Sequence, residues 1–393
     1  MTSEQIGRLA AECGTPAYVF DISVLKQRVA YLRSRLPERV QLCYAIKANT
    51  FITGALNDSM PRFEVCSPGE YRVCEALHIP PEKLVISGVY KTPSFIRELV
   101  ETQPGIGVYT VESPVQLRLL QEAAEAKKAT LPVLLRLTSG NQFGLDKPVL
   151  REIIANRSQW DGLDILGIQY FSGTQKTSLK KLKRELEHLD ELIAELESEY
   201  GFVCRELEYG PGLPAFYFQG DTFDEDAFFA EFSQLIQQLH TSAAITFEIG
   251  RGIAASCGTY LTQVVDCKRN KGQNYAILDG GMNHLVYFGQ SMAMKLPHCR
   301  VYPLRSDGGE EVWNLCGALC TANDILVKQL SVRQLRIGDV ISFENTGAYC
   351  MTEGISLFLS RALPQVFLLR EDGSVLPVRS ATDTYPLNTP NAQ

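Results

Sequence analysis

The chain holds no uninterrupted apolar run approaching the about twenty residues that a membrane helix needs, so no membrane span is expected. It has no surplus of positive charge either: 38 Lys and Arg stand against 45 Asp and Glu, a formal charge of −7. That balance removes the basic face that a nucleic acid or an anionic membrane surface would select, while leaving room for one local anion pocket. The start, Met1-Thr2-Ser3-Glu4-Gln5, lacks a basic stretch leading into an apolar one, and no secretory leader is expected. The five histidines show no metal-ligand spacing. The eleven cysteines are odd in number and scattered; the closest two, Cys316 and Cys320, have three residues between them. Metal frameworks use tighter, repeated pairs, so no metal is expected, and the thiols read as reduced core residues of a cytoplasmic protein.

What is present is a long alternating pattern. At 393 residues the chain exceeds one ordinary domain, and 45% hydrophobic with 21% charged residues is a composition able to bury a large core. From residue 16 to 250, short apolar runs at 17–20, 40–46, 62–66, 84–87, 107–110, 132–137, 165–171, 204–209 and 245–249 alternate with helix-like segments. In 178–198, for example, Leu179, Leu182, Leu186, Leu189, Ile193 and Leu196 recur at helical spacing, too briefly for a coiled coil and suited to a helix packed on a sheet. About eight strand–helix units in such a span is what an α/β fold of the (β/α)8 TIM-like barrel type requires. A doubly wound open sheet is the alternative, but it would want a glycine-rich turn after its first strand, and none is here. Beyond residue 251 the runs 258–265, 275–278, 312–315, 340–344 and 356–359 read as strands of a C-terminal all-β domain. The expected organisation is a barrel over 16–250, with 1–15 and 251–393 forming the second domain and 380–393 a frayed tail.

In a barrel, chemistry sits where strands end, and the polar and glycine residues cluster there. Lys47 closes the run Tyr44-Ala45-Ile46-Lys47-Ala48-Asn49. A lysine ending a buried strand must snorkel, find a counter-charge or be kept as an amine for chemistry, and taken alone it most often points to water. Gly210-Pro211-Gly212 lets backbone N–H groups approach a phosphate, although alone it is commonly just a turn. Glu248-Ile249-Gly250-Arg251 joins a carboxylate to a guanidinium, alone an ordinary salt bridge. Cys320-Thr321-Ala322-Asn323-Asp324 puts a thiol in a polar loop, and Gly347-Ala348-Tyr349 a phenol after a strand; alone these read as a buried cysteine and a packed aromatic. Together they supply an amine, an acceptor for a ring N–H, a phosphate cradle and a proton donor, the set that pyridoxal 5'-phosphate needs.

The order and spacing of these pieces resemble the fold-type III pyridoxal-phosphate decarboxylases, the group of diaminopimelate, ornithine and arginine decarboxylases, over nearly the whole chain. The segment at Lys47 resembles the family's Schiff-base lysine motif, and Phe63-Glu64-Val65-Cys66-Ser67-Pro68-Gly69-Glu70 its second barrel motif. The resemblance implies an alanine-racemase-like barrel plus β-domain and a set of roles. Lys47 would bind the cofactor covalently, and Glu248 would hold the pyridine nitrogen protonated. Phe171 would stack on the ring. Arg251, Tyr349, Ser172 or Thr174, and the amides of Gly210 and Gly212 would share the phosphate. Cys320 or a water would protonate Cα, and because that cysteine reaches the neighbouring subunit's site in the family, the enzyme should be a homodimer with shared sites. Alanine racemases place an arginine where Glu248 stands, and a carboxylate there favours decarboxylation.

Three departures bear on substrate. Diaminopimelate decarboxylases carry a Glu after the cysteine, and ornithine decarboxylases an Asp, to meet a distal ammonium; Thr321 is neutral and cannot. An arginine for the distal carboxylate is replaced after Gly281-Met282-Asn283-His284-Leu285-Val286 by Tyr287. Phe171 stands where relatives have a stacking histidine, and it cannot titrate. Phe-Ser-Gly-Thr-Gln with Cys-Thr resembles a branch of specialised biosynthesis that includes enzymes acting on carrier-protein-tethered amino acids. The expected activity is therefore α-decarboxylation of an amino acid or its conjugate, free or carrier-bound, with Tyr287, Thr321 and Asp324 as candidate substrate contacts. An ordinary diaminopimelate decarboxylase making L-lysine, and a non-catalytic relative acting by binding, are the alternatives.

Overall fold

The computed structural model describes residues 2–391 and divides into two compact units, one formed by Val29–Pro214 and Asp224–Ile253, the other by Met1–Arg28, Ala215–Phe223 and Ala254–Gln393. The strand β1 (Ala17–Asp21) comes first in the chain and belongs to the second of these.

The first unit is a closed barrel of eight parallel strands: β2 (Val40–Ala45), β3 (Arg62–Val65), β4 (Leu84–Ile86), β5 (Val108–Val111), β6 (Leu131–Leu137), β7 (Leu163–Phe171), β8 (Glu206–Gly210) and β9 (Ala244–Ile249). It closes where β2 pairs with β9, Val40 opposite Ile245 through Tyr44 opposite Ile249. Each strand matches an apolar run in the sequence to within two residues, because a strand buried on both faces must be nearly continuously apolar. The outer helices carry plain start signals. Ser67 and Ser113 cap Pro68–Ala76 and Pro114–Lys127 by accepting from the N–H of Glu70 and Gln116, and each helix has proline in its first turn. The leucine stripe forms Leu179–Tyr200, burying Leu182, Leu186, Leu189, Leu192, Ile193 and Leu196.

The second unit is a nine-stranded sheet with β10 (Gly258–Asn270), β11 (Gln273–Leu278), β12 (Cys299–Tyr302), β13 (Glu310–Cys316), β14 (Ile325–Arg333), β15 (Val340–Glu344), β16 (Gln365–Leu369) and β17 (Val375–Arg379). Its order is β14-β13-β11-β10-β1-β16-β17, with β15 also on β10 and β12 on β15. Thus the run at 17–20, read from sequence with the barrel strands, pairs antiparallel with β10 and parallel with β16 instead. Its burial pattern is that of any core strand, so nothing local distinguishes it. The helix Ser3–Cys13 packs Ile6, Leu9 and Cys13 into one core with Ala17, Val19, Leu261, Val340, Phe367 and Leu369.

Two expectations need correction. Residues 356–359 are a turn leading into the 3-10 segment Phe358–Ser360, not a strand; Leu359 is left-handed at φ +59° and exposed. The tail is held rather than frayed as far as Asn388: Leu363 bridges Thr382, buried Thr384 donates to the Arg361 carbonyl at 2.9 Å, and Asn388 donates to the Leu357 carbonyl. Ala392 and Gln393 lie outside the described residues. Among the described residues no helix is long and apolar enough to cross a membrane, and all eleven cysteines are free thiols.

Candidate active site

Lys47 sits in a single 3-10 turn, Ile46–Ala48, immediately after β2. Side chains alternate along strands, so β3 and β9, the neighbours of β2, direct Glu64 and Glu248 to the same interior. The Lys47 ammonium donates to Glu64 and, at 3.1 Å, to Glu248 Oε1; the Cys66 thiol lies 3.5 Å from it and 3.3 Å from Glu64. Both carboxyls are buried, and they titrate apart. Burial alone would raise Glu64, but the Lys47 charge and hydrogen bonds from Lys47 and Cys66 hold it well below the ordinary carboxylate range. Glu248 goes up, driven by burial and then by the Glu64 charge beside it. Two like carboxyls around one amine thus divide into an ionised one and one ready to hold a proton.

A glycine-lined cradle lies at the ends of β7, β8 and β9. Gly212 is left-handed at φ +62°, and a Cβ there would stand 2.1 Å from the Gly173 carbonyl oxygen. A Cβ on Gly210 would meet the Phe171 ring at 2.4 Å, so the ring packs directly on this backbone. Arg251 opens a one-turn helix right after β9, is buried, and donates from Nε to Thr174 Oγ1 at 3.2 Å. Ser172 turns the other way: its hydroxyl donates to Glu185 on the helix Leu179–Tyr200. Glu185 also accepts from Tyr209 at 2.6 Å and Lys176 at 2.8 Å, and Lys176 N–H donates to the Gly212 carbonyl at 2.9 Å. This network fastens the glycine loop to the helix layer. A buried guanidinium on a threonine hydroxyl, beside a glycine turn with no space for side chains, fits the phosphate of pyridoxal phosphate, and Phe171 fits its ring.

The remaining candidates belong to the other unit. Cys320 is exposed and Thr321 half-buried on a turn. Asp324 is buried with its carboxylate committed, accepting from the N–H of Met282 at 2.7 Å and of Leu319 at 2.8 Å. Tyr287 is buried too: its hydroxyl donates to the Glu344 carbonyl at 2.7 Å, and its ring packs on Tyr217 and Phe218. Tyr349 lies just beyond β15, left-handed at φ +65°. Sequence reasoning gave no role to Glu64, Cys66, Gln169 or Glu208. The available signal was parity, since Glu206 and Glu208 are two apart on a barrel strand and so share the interior face, and Cys66, just past β3, keeps the same spacing from Glu64.

Comparison with known proteins agrees with this geometry. Residues 22–255 match the family described as pyridoxal-dependent decarboxylase, pyridoxal binding domain. The L-glutamyl-[BtrI acyl-carrier protein] decarboxylase of Niallia circulans is 27% identical, over 95% of this chain and 93% of its own. The diaminopimelate decarboxylase of Vibrio cholerae is 29% identical, over 88% and 85% respectively. The crystal structure of diaminopimelate decarboxylase from M. jannaschii with L-lysine superposes with a TM-score of 0.84 at 23% identity, covering 98% of this chain and 94% of that one.

Proposed function

The chain belongs to the pyridoxal-dependent decarboxylases and is a pyridoxal-phosphate-dependent carboxy-lyase, and from that premise we propose that it decarboxylates an amino-acid conjugate, a glutamyl group carried on a protein, at Cα. The observation that carries the substrate reading is the lack of a spare charge at the distal-end candidates. Thr321 is neutral, the Tyr287 hydroxyl is spent on Glu344, and the Asp324 carboxylate is spent on two backbone amides. A diaminopimelate distal end carries both an ammonium and a carboxylate, and leaving these unpaired in a site is costly. The relative from Niallia circulans, named for a carrier-bound glutamyl substrate, supports the same reading.

Pyridoxal phosphate, when bound, supplies an aldehyde that captures an amine and a ring that accepts the electron pair released as carbon dioxide leaves. The protein does the rest. Lys47 would provide the amine that anchors the cofactor. Glu248, as a carboxylate of raised basicity, would accept a hydrogen bond from the protonated ring nitrogen. Arg251, Thr174 and the Gly210 and Gly212 amides bind the phosphate, while Ser172 braces the loop through Glu185. Phe171 would stack on the ring, and Tyr349 is assigned to the phosphate. Cys320 delivers a proton to Cα from the second copy of a homodimer, whose two sites are composite. The division of labour is a cofactor-binding barrel and a β-domain that completes the partner's site, in a cytoplasmic enzyme whose thiols stay reduced. An exposed apolar cluster of Ile355, Leu357, Phe358, Leu359, Tyr385 and Leu387, drawn together by Asn388, is the surface we assign to dimer contact.

The diaminopimelate reading draws on relatives so named at similar identity. Assay of released carbon dioxide decides between them. Carrier-bound glutamate is expected to react, and free diaminopimelate to do so at least 100-fold less efficiently. Turnover of free diaminopimelate with kcat/KM near ~10⁴ M⁻¹s⁻¹ or better, the range of a native substrate, would overturn the proposal.

A further inference from the structure

The barrel interior below Lys47 carries more acid than base. Strand alternation turns Glu206 and Glu208 of β8, Thr246 and Glu248 of β9, Arg62 and Glu64 of β3, Cys43 of β2 and Gln169 of β7 inward. Arg62 pairs with Glu206, which also accepts from the Thr246 hydroxyl at 3.1 Å. Lys47 serves both Glu64 and Glu248. Among the described residues no salt bridge reaches Glu208, which is at 0% exposure; Arg62, bound to Glu206, is the nearby cation that feels its charge. Its one hydrogen bond among the described residues comes from the Gln169 side-chain N–H to Oε1. Glu208 Oε2 and Gln169 Oε1 are both buried and both without a partner.

Those two orphaned oxygens belong to facing groups. If Glu208 is ionised, they are two acceptors that cannot satisfy each other. If Glu208 carries a proton, one O–H···O bond joins them and closes a cyclic acid–amide pair with the N–H···O bond already present. The surrounding charges point the same way. Burial comes first, then the carboxylates of Glu248, Glu206 and Glu64, all raising the affinity of Glu208 for its proton and together outweighing the Gln169 hydrogen bond, which lowers it. The Cys43 thiol is pushed up by burial and stays neutral.

We propose that Glu208 is a positioning residue that stays protonated at neutral pH, locked to Gln169, and thereby keeps one more negative charge away from Glu248. The consequence for catalysis rests on the reading of Glu248 given above. Once Lys47 is used to bind the cofactor, its ammonium no longer offsets Glu64 and Glu248. An ionised Glu208 would then force Glu248 to take up the proton itself, and a neutral Glu248 cannot hold a ring N–H proton in place.

The test is Glu208→Gln, an isostere that keeps the amide partnership and cannot ionise, with thermal unfolding of the apoprotein and the cofactor-loaded protein followed from pH 5 to pH 8.5. A carboxyl that binds its proton more tightly folded than unfolded makes the wild type lose stability as pH rises above the unfolded carboxylate range. The variant lacks that loss. It should match the wild type near pH 5 and melt several degrees higher at pH 8, and parallel pH profiles would overturn the proposal. Should the variant fail to fold, the wild-type infrared spectrum decides alone: a neutral-acid carbonyl band persisting at pH 8 supports a protonated Glu208, and its absence refutes it. Bound pyridoxal phosphate should keep the visible-absorbance titration of the wild type in the variant, since no charge is removed; a shift of a full pH unit would count against the idea. The unfolding and infrared arms need no bound cofactor, so they stand even if the assigned role of Glu248 fails.

Discussion

At the scale of single residues, the site works by making similar groups unlike. Glu64 and Glu248 flank one amine, yet Glu64 is held low by Lys47 while burial and then the Glu64 charge raise Glu248. A carboxyl depressed on folding contributes stability that is present above its unfolded value, about 4.3, and is lost as pH falls below it. Glu64→Gln should therefore lower the melting temperature of the apoprotein by several degrees at pH 7, with the gap to wild type closing as pH drops toward 3. Thermal unfolding across that range measures it, and a gap that is constant with pH would mean that Glu64 is not charged in the fold. Lys47 and Glu248 stand out in the sequence because an ionisable residue at the end of an apolar run is costly and so conspicuous. Glu64 and Glu208 are harder to read. They lie inside the strands, and only the closed barrel reveals that four carboxyls share one interior with two cations.

At the scale of elements, the chemistry depends on short connections. The turns after β2, β7, β8 and β9 each hold one part of the site, and the tightest contact is Gly212 against Gly173. A left-handed backbone costs a residue other than glycine about 1–2 kcal/mol, and a Cβ would also collide with a carbonyl, so the loop must move. Gly212→Ala should weaken pyridoxal phosphate binding by about tenfold or more, a loss of about 1.4 kcal/mol, while the barrel still folds. Cofactor titration followed by fluorescence quenching, beside a melting curve, separates the two effects. The barrel strands were legible because apolar runs and proline or serine helix starts are local signals. Residues 356–359 misled because Ile355, Leu357 and Leu359 are apolar but exposed, a pattern that local periodicity cannot distinguish from a strand. Ser172 and Thr174 looked equivalent in sequence, and only the position of the helix Leu179–Tyr200 turns one toward Glu185 and the other toward Arg251.

At the scale of the molecule, the proposed homodimer makes each active site the property of two chains. Lys47→Ala and Cys320→Ala proteins should each be nearly inactive alone. Mixed and allowed to exchange subunits, half the dimers are hybrids in which one of two sites is whole, so activity should recover to about a quarter of wild type if sites are shared in a twofold dimer. No recovery, with exchange demonstrated by mass, would place Lys47 and Cys320 in the same subunit's site. Division of the chain into a barrel and a β-domain was visible in the change of pattern near residue 251. The assignment of β1 was not, because strand pairing across hundreds of residues leaves no mark on the strand itself.

That pairing has a consequence for how the protein is made. β1 is synthesised well before both of its neighbours, Gly258–Leu261 in β10 and, on the other edge, Gln365–Leu369 in β16. Until residue 369 has been synthesised, both or one of its edges remain without a partner, and an unpaired apolar edge is the kind of surface that recruits other chains. While the chain between β1 and β16 is being made that strand stays exposed, so any stall or truncation before β16 should yield aggregate rather than a shorter soluble domain.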